Sequence, residues 1–199
     1  MTAPSPDAPT LASRRPAPAK LAHVVLRTAR FEEMKAFYAT LLGAHPTFEN
    51  EQLCFMTYDD EHHRIGIINF PHLADADKDK AGMEHIAFTY PDLPSLLAAY
   101  AHNKTDGFLP FWTINHGPTI SMYYRDPDGN KVELQHDVFP DNPSVDAFFA
   151  SGAYEENFMG ILFDPESMIV DYEAGVPVET LTRRPKLPDG VSPWDMLRE

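Results

Sequence analysis

Cysteine is nearly absent from this chain: Cys54 is the only one in 199 residues. A single thiol cannot build an intramolecular disulfide framework, and the shortage suits a reducing compartment, so a cytoplasmic location is expected. Long apolar runs are missing too. No stretch approaches the ~20 apolar residues that cross a bilayer. The opening MTAPSPDAPTLASRRPAPAK lacks the apolar core and following cleavage site of a secretory signal. Basic residues are few, with Lys and Arg totalling 16 against 30 Asp and Glu, for a formal net charge of −14. Phosphate recognition needs clustered Lys and Arg, so nucleic acid and anionic membrane are not expected partners. The plain meaning of the charge is solubility. The hydrophobic fraction of 43% is that of an ordinary globular protein, and the length is ample for one domain and short for two.

Residues 1–19 are rich in Pro, Ala and Ser, the composition of a disordered tail. Periodicity begins at Leu21. AHVVLRT (22–28) reads as a strand. RFEEMKAFYATLLG places Phe31, Met34, Phe37, Tyr38, Leu41 and Leu42 at helical spacing before the stop at Gly43. Strand candidates follow at 45–49, LCFMTY (53–58) and RIGIINF (64–70). The same order then returns. MEHIAFTY (83–90) is strand-like, and 91–101 is helical, with Asp92 as N-cap and Leu93, Leu96, Leu97 and Tyr100 on one face. FLPFWTIN (108–115), TISMYYRD (119–126) and NKVELQH (130–136) are further strands, and DPDG at 126–129 is a turn.

The chain therefore contains a βαβββ unit twice, at 21–70 and 83–136. The implied class is α+β, with two modules forming one open barrel in a domain spanning 20–136. Residues 137–199 carry seven prolines and possible short helices at 144–150 and 165–173. They are expected to wrap the domain or a partner subunit.

A histidine sits at the same place in each module, third in LAHVV and third in MEHIA. Strand alternation puts His23 and Val25 on one face, and two equivalent strands facing each other would bring His23 and His85 together. Glu133, on the last strand of the second module, completes a set of two imidazoles and a carboxylate. That set leaves positions open on an octahedral ion, as in non-haem iron(II) oxygenases. Spacing alone is weak support, because nine histidines offer many triples and a strand histidine is commonly a surface or core residue.

The repeat with His, His and Glu at these positions resembles the vicinal oxygen chelate superfamily. Its members include glyoxalase I, fosfomycin-resistance enzymes, bleomycin-binding proteins and type I extradiol dioxygenases. Within it, INHGPTISMYYRDPDGNKVE (114–133) is similar to the extradiol ring-cleavage signature through His116, Met122, Tyr123, Asp126, Pro127, Gly129 and Glu133. EHHRIGI (61–67) is similar to the paired-histidine strand of these enzymes, with His63 as the residue facing the dioxygen site and His62 turned elsewhere. FMGILFDPESMIVDYEAG and LTRRP resemble the tail of single-domain, dihydroxybiphenyl-type members.

What the resemblance implies is a 2,3-dihydroxybiphenyl 1,2-dioxygenase-like enzyme. His23, His85 and Glu133 would hold Fe(II), with Mn(II) equally suited to such ligands. Tyr123 and His116 would hydrogen-bond and deprotonate a catechol-type substrate, and His63 would serve acid–base chemistry beside dioxygen. A homodimer or higher homo-oligomer is expected by the same analogy. Phe70, Phe88, Phe111 and Trp112 are candidates for an aromatic pocket, each with barrel core or dimer contact as the plainer reading. His72, His102 and His136 are read as surface residues.

Two other readings stay open. Glyoxalase-type isomerases add a ligand on the last strand of the first module, where RIGIINF offers only Ile67 and Ile68. Fosfomycin-type thiol transferases share the two-His-one-Glu set but leave His63, His116 and Tyr123 unexplained. A metal-free binding or resistance protein would have no use for the three ligands in register.

Overall fold

The computed structural model describes residues 17–77 and 80–199. Residues 1–16 of the expected tail lie outside the described part. The first module is β1 (Val24–Thr28), α1 (Phe31–Leu42), β2 (His45–Glu49), β3 (Leu53–Thr57) and β4 (Ile65–Asn69). The second is β5 (His85–Tyr90), α2 (Leu93–Thr105), β6 (Trp112–Asn115), β7 (Thr119–Arg125) and β8 (Lys131–Asp137). β6 is shorter than its apolar run because Pro110 cannot donate to a ladder. α1 ends where Gly43 takes the left-handed conformation at φ 63°. α2 begins where the Asp92 carboxylate accepts from the Ser95 amide.

The sheets repeat one topology. The first has strand order β1-β4-β3-β2, and the second begins β5-β8-β7-β6. In each, the first strand runs parallel to the last. The α+β architecture of two βαβββ modules is present. Each sheet stays open; within one chain they do not close into a barrel.

Both helices lie on one side. Met34, Tyr38 and Leu41 of α1 and Leu93, Leu96 and Leu97 of α2 join Leu26, Ile65, Ile67, Met122, Val132 and Leu134 in a single core. Polar contacts tie the modules across it. The Tyr38 hydroxyl donates to buried Asp126 at 3.1 Å, and Arg30 pairs with Asp128 at 2.9 Å. Asp126 is held further by Asn130 and by the amides of the 126–130 turn. The other face of each sheet receives no helix from its own module. On β1, Leu26 and Thr28 are buried whereas Val25 is 45% exposed.

Residues 137–199 meet the second module through the two-residue strand β9 (Ile161–Leu162) and neighbouring contacts. They contribute α3 (Asn142–Ala150), α4 (Ala153–Glu156), β9 itself, α5 (Pro165–Glu173) and α6 (Val178–Leu181), then a 3-10 turn at Pro193–Met196. β9 extends the second sheet beside β6, pairing Ile114 with Leu162. That strand escapes sequence reading because two residues leave no periodicity. Among the described residues, no helix is long and apolar enough to cross a membrane.

Gly160 enables the β9 docking. It sits at φ +117°, and a Cβ there would lie 2.4 Å from the Asn115 carbonyl oxygen. Gly160→Ala is expected to cost about 1–3 kcal/mol. At about 2–4 °C per kcal/mol for a chain of this size, circular dichroism melting should show Tm lowered by several degrees. An unchanged Tm would contradict the docking.

Candidate functional site

The uncovered face of the second sheet carries a row of side chains fixed by strand register. Trp112 lies opposite Tyr123, Tyr123 opposite Glu133, and Glu133 opposite Ala87. His85, two residues before Ala87, falls on the same face. Its Nε2 lies 3.0 Å from Glu133 Oε2, and its Nδ1 bonds Glu84, which Lys131 Nζ holds at 2.6 Å. Tyr123 and Glu133 are each 3% exposed, whereas His85 keeps 35% of its side chain open.

These contacts set the charges. Burial pushes the Glu133 carboxyl upward, but bonds from His85, Ser121 and Tyr123 outweigh it and hold the group below the usual carboxylate range. His85 is pushed up to about 9, first by its bond to Glu133 and then by Glu84, against burial. Burial raises the Tyr123 phenol, with Glu133 adding to the effect, so it stays protonated and able to donate. His116 is lowered by burial and is neutral at pH 7.

The C-terminal segment aims His116. Its Nδ1–H donates to the Met159 carbonyl, which leaves Nε2 free to accept from the Tyr123 hydroxyl at 3.1 Å. The Met159 loop is pinned by buried Asn157, whose Oδ1 accepts from the amides of Met159 and Gly160. Arg184 then clamps the assembly, donating to the carbonyls of His116, Asn157 and Ala153 at 2.7–3.0 Å. Around Tyr123, Trp112 stacks at 4.6 Å and Phe111, Met159, Leu162 and Met196 complete a small apolar cluster.

The remaining candidates lie elsewhere. His23 precedes β1, is exposed, and stacks on His63 at 4.2 Å. His63 sits in the loop before β4, 8% exposed, sandwiched between His23 and Phe55. His62 does not point away by strand alternation, because no strand exists there; its Nδ1 meets that of His63. Phe88 packs on the main core and Phe70 at the end of β4 meets His72. Among the described residues, no three His, Cys, Asp or Glu side chains of one chain converge as a metal site. Thus His85, Glu133, Tyr123 and His116 come together, and His23 and His63 form a separate group.

Register also assigns the counterpart of Glu133 in the first module. Val25 pairs with Gly66 as Ala87 pairs with Glu133, so the position belongs to Gly66 rather than to Ile67 or Ile68. It supplies no ligand. Glu84, Asn157, Met159 and Arg184 escape sequence reading. Glu84 is signalled only by adjacency to His85, and the others act through backbone atoms or a fold-dependent loop.

Residues 20–134 match the profile of the Glyoxalase/Bleomycin resistance protein/Dioxygenase superfamily. The chain is 43% identical over 164 residues to biphenyl-2,3-diol 1,2-dioxygenase 2 of Rhodococcus globerulus, covering 82% of this chain and 86% of that protein. It is 39% identical to biphenyl-2,3-diol 1,2-dioxygenase 3 of the same organism, covering 83% and 88%. A solved structure of a glyoxalase-type protein from Bacillus halodurans superposes with a TM-score of 0.50 at 17% identity, over 59% of this chain and 96% of that one; it shares the fold. The chain belongs to the Glyoxalase/Bleomycin resistance protein/Dioxygenase superfamily.

The clamp on His116 has a direct readout. In nitrogen-15-labelled, metal-free protein at pH 7, proton–nitrogen correlation spectra should show His116 with Nδ1 protonated and Nε2 bare. Arg184→Gln should mix the two tautomers. An Nε2-protonated ring in the unaltered protein would exclude the arrangement.

Proposed function

We propose that this protein is an extradiol dioxygenase that opens a catechol-type ring with dioxygen at a mononuclear iron(II) centre held by His23, His85 and Glu133. The observation that carries the reading is the joining, on one sheet face, of a His–Glu donor pair to a Tyr–His proton relay. A donor pair alone would suit many metalloproteins. The relay supplies what a diol substrate needs, a route for its proton. The relatives that act on biphenyl-2,3-diol support the same chemistry and point to a bicyclic or similarly apolar catechol.

The donor set fits a divalent ion. Two cis ligands at about 2.1 Å on an octahedral centre stand about 3.0 Å apart, and His85 Nε2 lies 3.0 Å from Glu133 Oε2. Glu84 on Nδ1 orients the ring as carboxylates commonly do behind metal-bound histidines. Iron(II) would bind the two diol oxygens, lower their pKa and pass electron density from the ring to dioxygen.

The protein's own groups manage protons and orientation. Tyr123, kept as a phenol, donates its hydrogen to bare His116 Nε2 and presents its oxygen to accept from the diol hydroxyl, so His116 is the base that takes up a proton through it. Met159 prevents His116 from presenting a second N–H in that direction. Trp112 and Phe111 give the pocket wall an aromatic surface. His63 is the acid–base group for the oxygen side. The carbon–carbon bond beside the diol breaks and both oxygen atoms enter a 2-hydroxy-6-oxo-dienoate product.

Anaerobically purified, iron-loaded protein mixed with 2,3-dihydroxybiphenyl should consume one dioxygen per substrate and yield a yellow ring-fission product. Substrate conversion without dioxygen uptake would replace this reading with a non-redox one. Tyr123→Phe should lower kcat by about 10²–10⁴-fold, the usual contribution of a positioned acid–base group, with iron content unchanged. His85→Ala should lose the iron itself, measured by elemental analysis.

A further inference from the structure

We infer that the cavity beside Gly117 is a binding site for a monocarboxylate carrying an aromatic ring, with the carboxylate on Arg184 and the ring against Phe148. It is separate from the His–Glu and Tyr–His face: neither His85, Glu133, Tyr123 nor His116 lines it.

A space of about 480 Å³ lies between α3, α4, residues 179–187 and the β6–β7 turn, within the range of about 300–1,000 Å³ for small-molecule sites. Gly117 lines it at φ +102°, and a Cβ there would lie 2.5 Å from the Phe148 ring. Glycine is what lets that ring lie against the turn. Phe139 stands beside it with ring centroids 5.4 Å apart, and Val138, Pro185 and Leu187 extend the apolar wall. A pair of adjacent rings favours a third ring in offset or edge-on contact.

The polar side of the cavity is a guanidinium with bonding capacity to spare. Arg184 lies over Phe148, 5.1 Å from the ring centroid. Its Nη1 donates twice, to the carbonyls of His116 and Asn157, and its Nη2 once, to that of Ala153. A guanidinium has five N–H groups, so one on Nε and one on Nη2 are unspent. Nε is not among the buried atoms left without a partner, so it reaches open space. One N–H on each of two guanidinium nitrogens is the set that a carboxylate bridges with paired bonds. Arg184 makes no ion pair among the described residues, and burial pushes its pKa below the usual guanidinium value. A partly buried cation without a counter-charge is costly, and an anion in the cavity removes that cost.

The lining charge selects which anion. Arg183, Arg184 and Lys186 line the cavity with Glu156 and Glu179, three cations to two carboxylates, in a chain that has 16 basic and 30 acidic residues overall. The small positive balance suits a monoanion, whereas a dianion such as phosphate meets repulsion from both carboxylates. Opening an aryl catechol beside its diol gives an acid of the inferred class, so the reaction proposed above makes an occupant of the right chemistry. The cavity also adjoins the relay. Asn157 and Arg184 line it and fix His116 and the Met159 loop, and an occupant that takes only the spare N–H groups holds Arg184 in its clamping position.

Calorimetric titration of benzoate into the anaerobic, iron-loaded protein tests this. One benzoate should bind per chain, and inorganic phosphate about tenfold more weakly because of like-charge repulsion. Glu156→Gln removes a repelling carboxylate and should tighten benzoate about two- to fivefold, and Lys186→Gln should weaken it by a similar factor. Both positions are exposed, so the fold tolerates either change. In the nitrogen-15-labelled His85→Ala chain, benzoate should bind as to the wild type and shift the Arg184 Nε–H resonance. No binding to the wild type would overturn the site, as would binding lost in His85→Ala or indifferent to both exposed charges. Phosphate binding as tightly as benzoate would overturn the ligand class. None of these readouts depends on ring cleavage.

Discussion

A β-sheet has two faces, and a βαβββ module carries one helix with which to cover them. That shortfall governs the rest of this molecule. The alternation on β1 and β5 buries Leu26 and Ile86 under the helices and turns His23 and His85 outward. What covers the outward face therefore decides what the protein can do. On the second sheet the C-terminal segment covers β6 and β7, building an apolar, water-poor wall around Tyr123. It stops short of β5, so the donor groups meet a dry side and an open side at once.

The polar groups of that face hold one another in the protonation states its chemistry needs. Glu133 is buried, and a lone buried carboxylate is costly. The neighbouring imidazole, the Ser121 hydroxyl and the phenol compensate, and the carboxylate remains ionised. His85 lies between two carboxylates, Glu84 and Glu133, and is protonated as long as no cation replaces the proton. The ordering of His116 is of a different kind. It depends on a backbone carbonyl, a buried asparagine and an arginine that hydrogen-bonds three carbonyl oxygens.

Much of this was legible in the residues, for reasons that can be located. The elements follow from period and punctuation: the α1 stripe, Gly43, Asp92 and the 126–129 turn are local signals, and the repeat made each module support the other. Short helices are expected at 144–150 and 165–173, and the structure places them at Asn142–Ala150 and Pro165–Glu173. The relation between the modules was not readable, because periodicity reports which face a residue takes and not which sheet that face will meet. His23 and His85 looked like neighbours on the strength of equivalence alone. The position opposite Glu133 was misplaced for a similar reason: a one-residue shift in parallel register turns Ile67 into Gly66. Arg184 was hidden by its mode of action, since an arginine that binds carbonyls has no partner residue to spot in a sequence.

The two modules are alike in topology and unlike in equipment. Gly66 strips the first module of its carboxylate, while the loop before β4 gives it a histidine pair that the second module lacks. The second module keeps the carboxylate and the Tyr–His relay. The core, with Tyr38–Asp126 at its centre, fixes the two sheets' relative orientation although it touches neither histidine group.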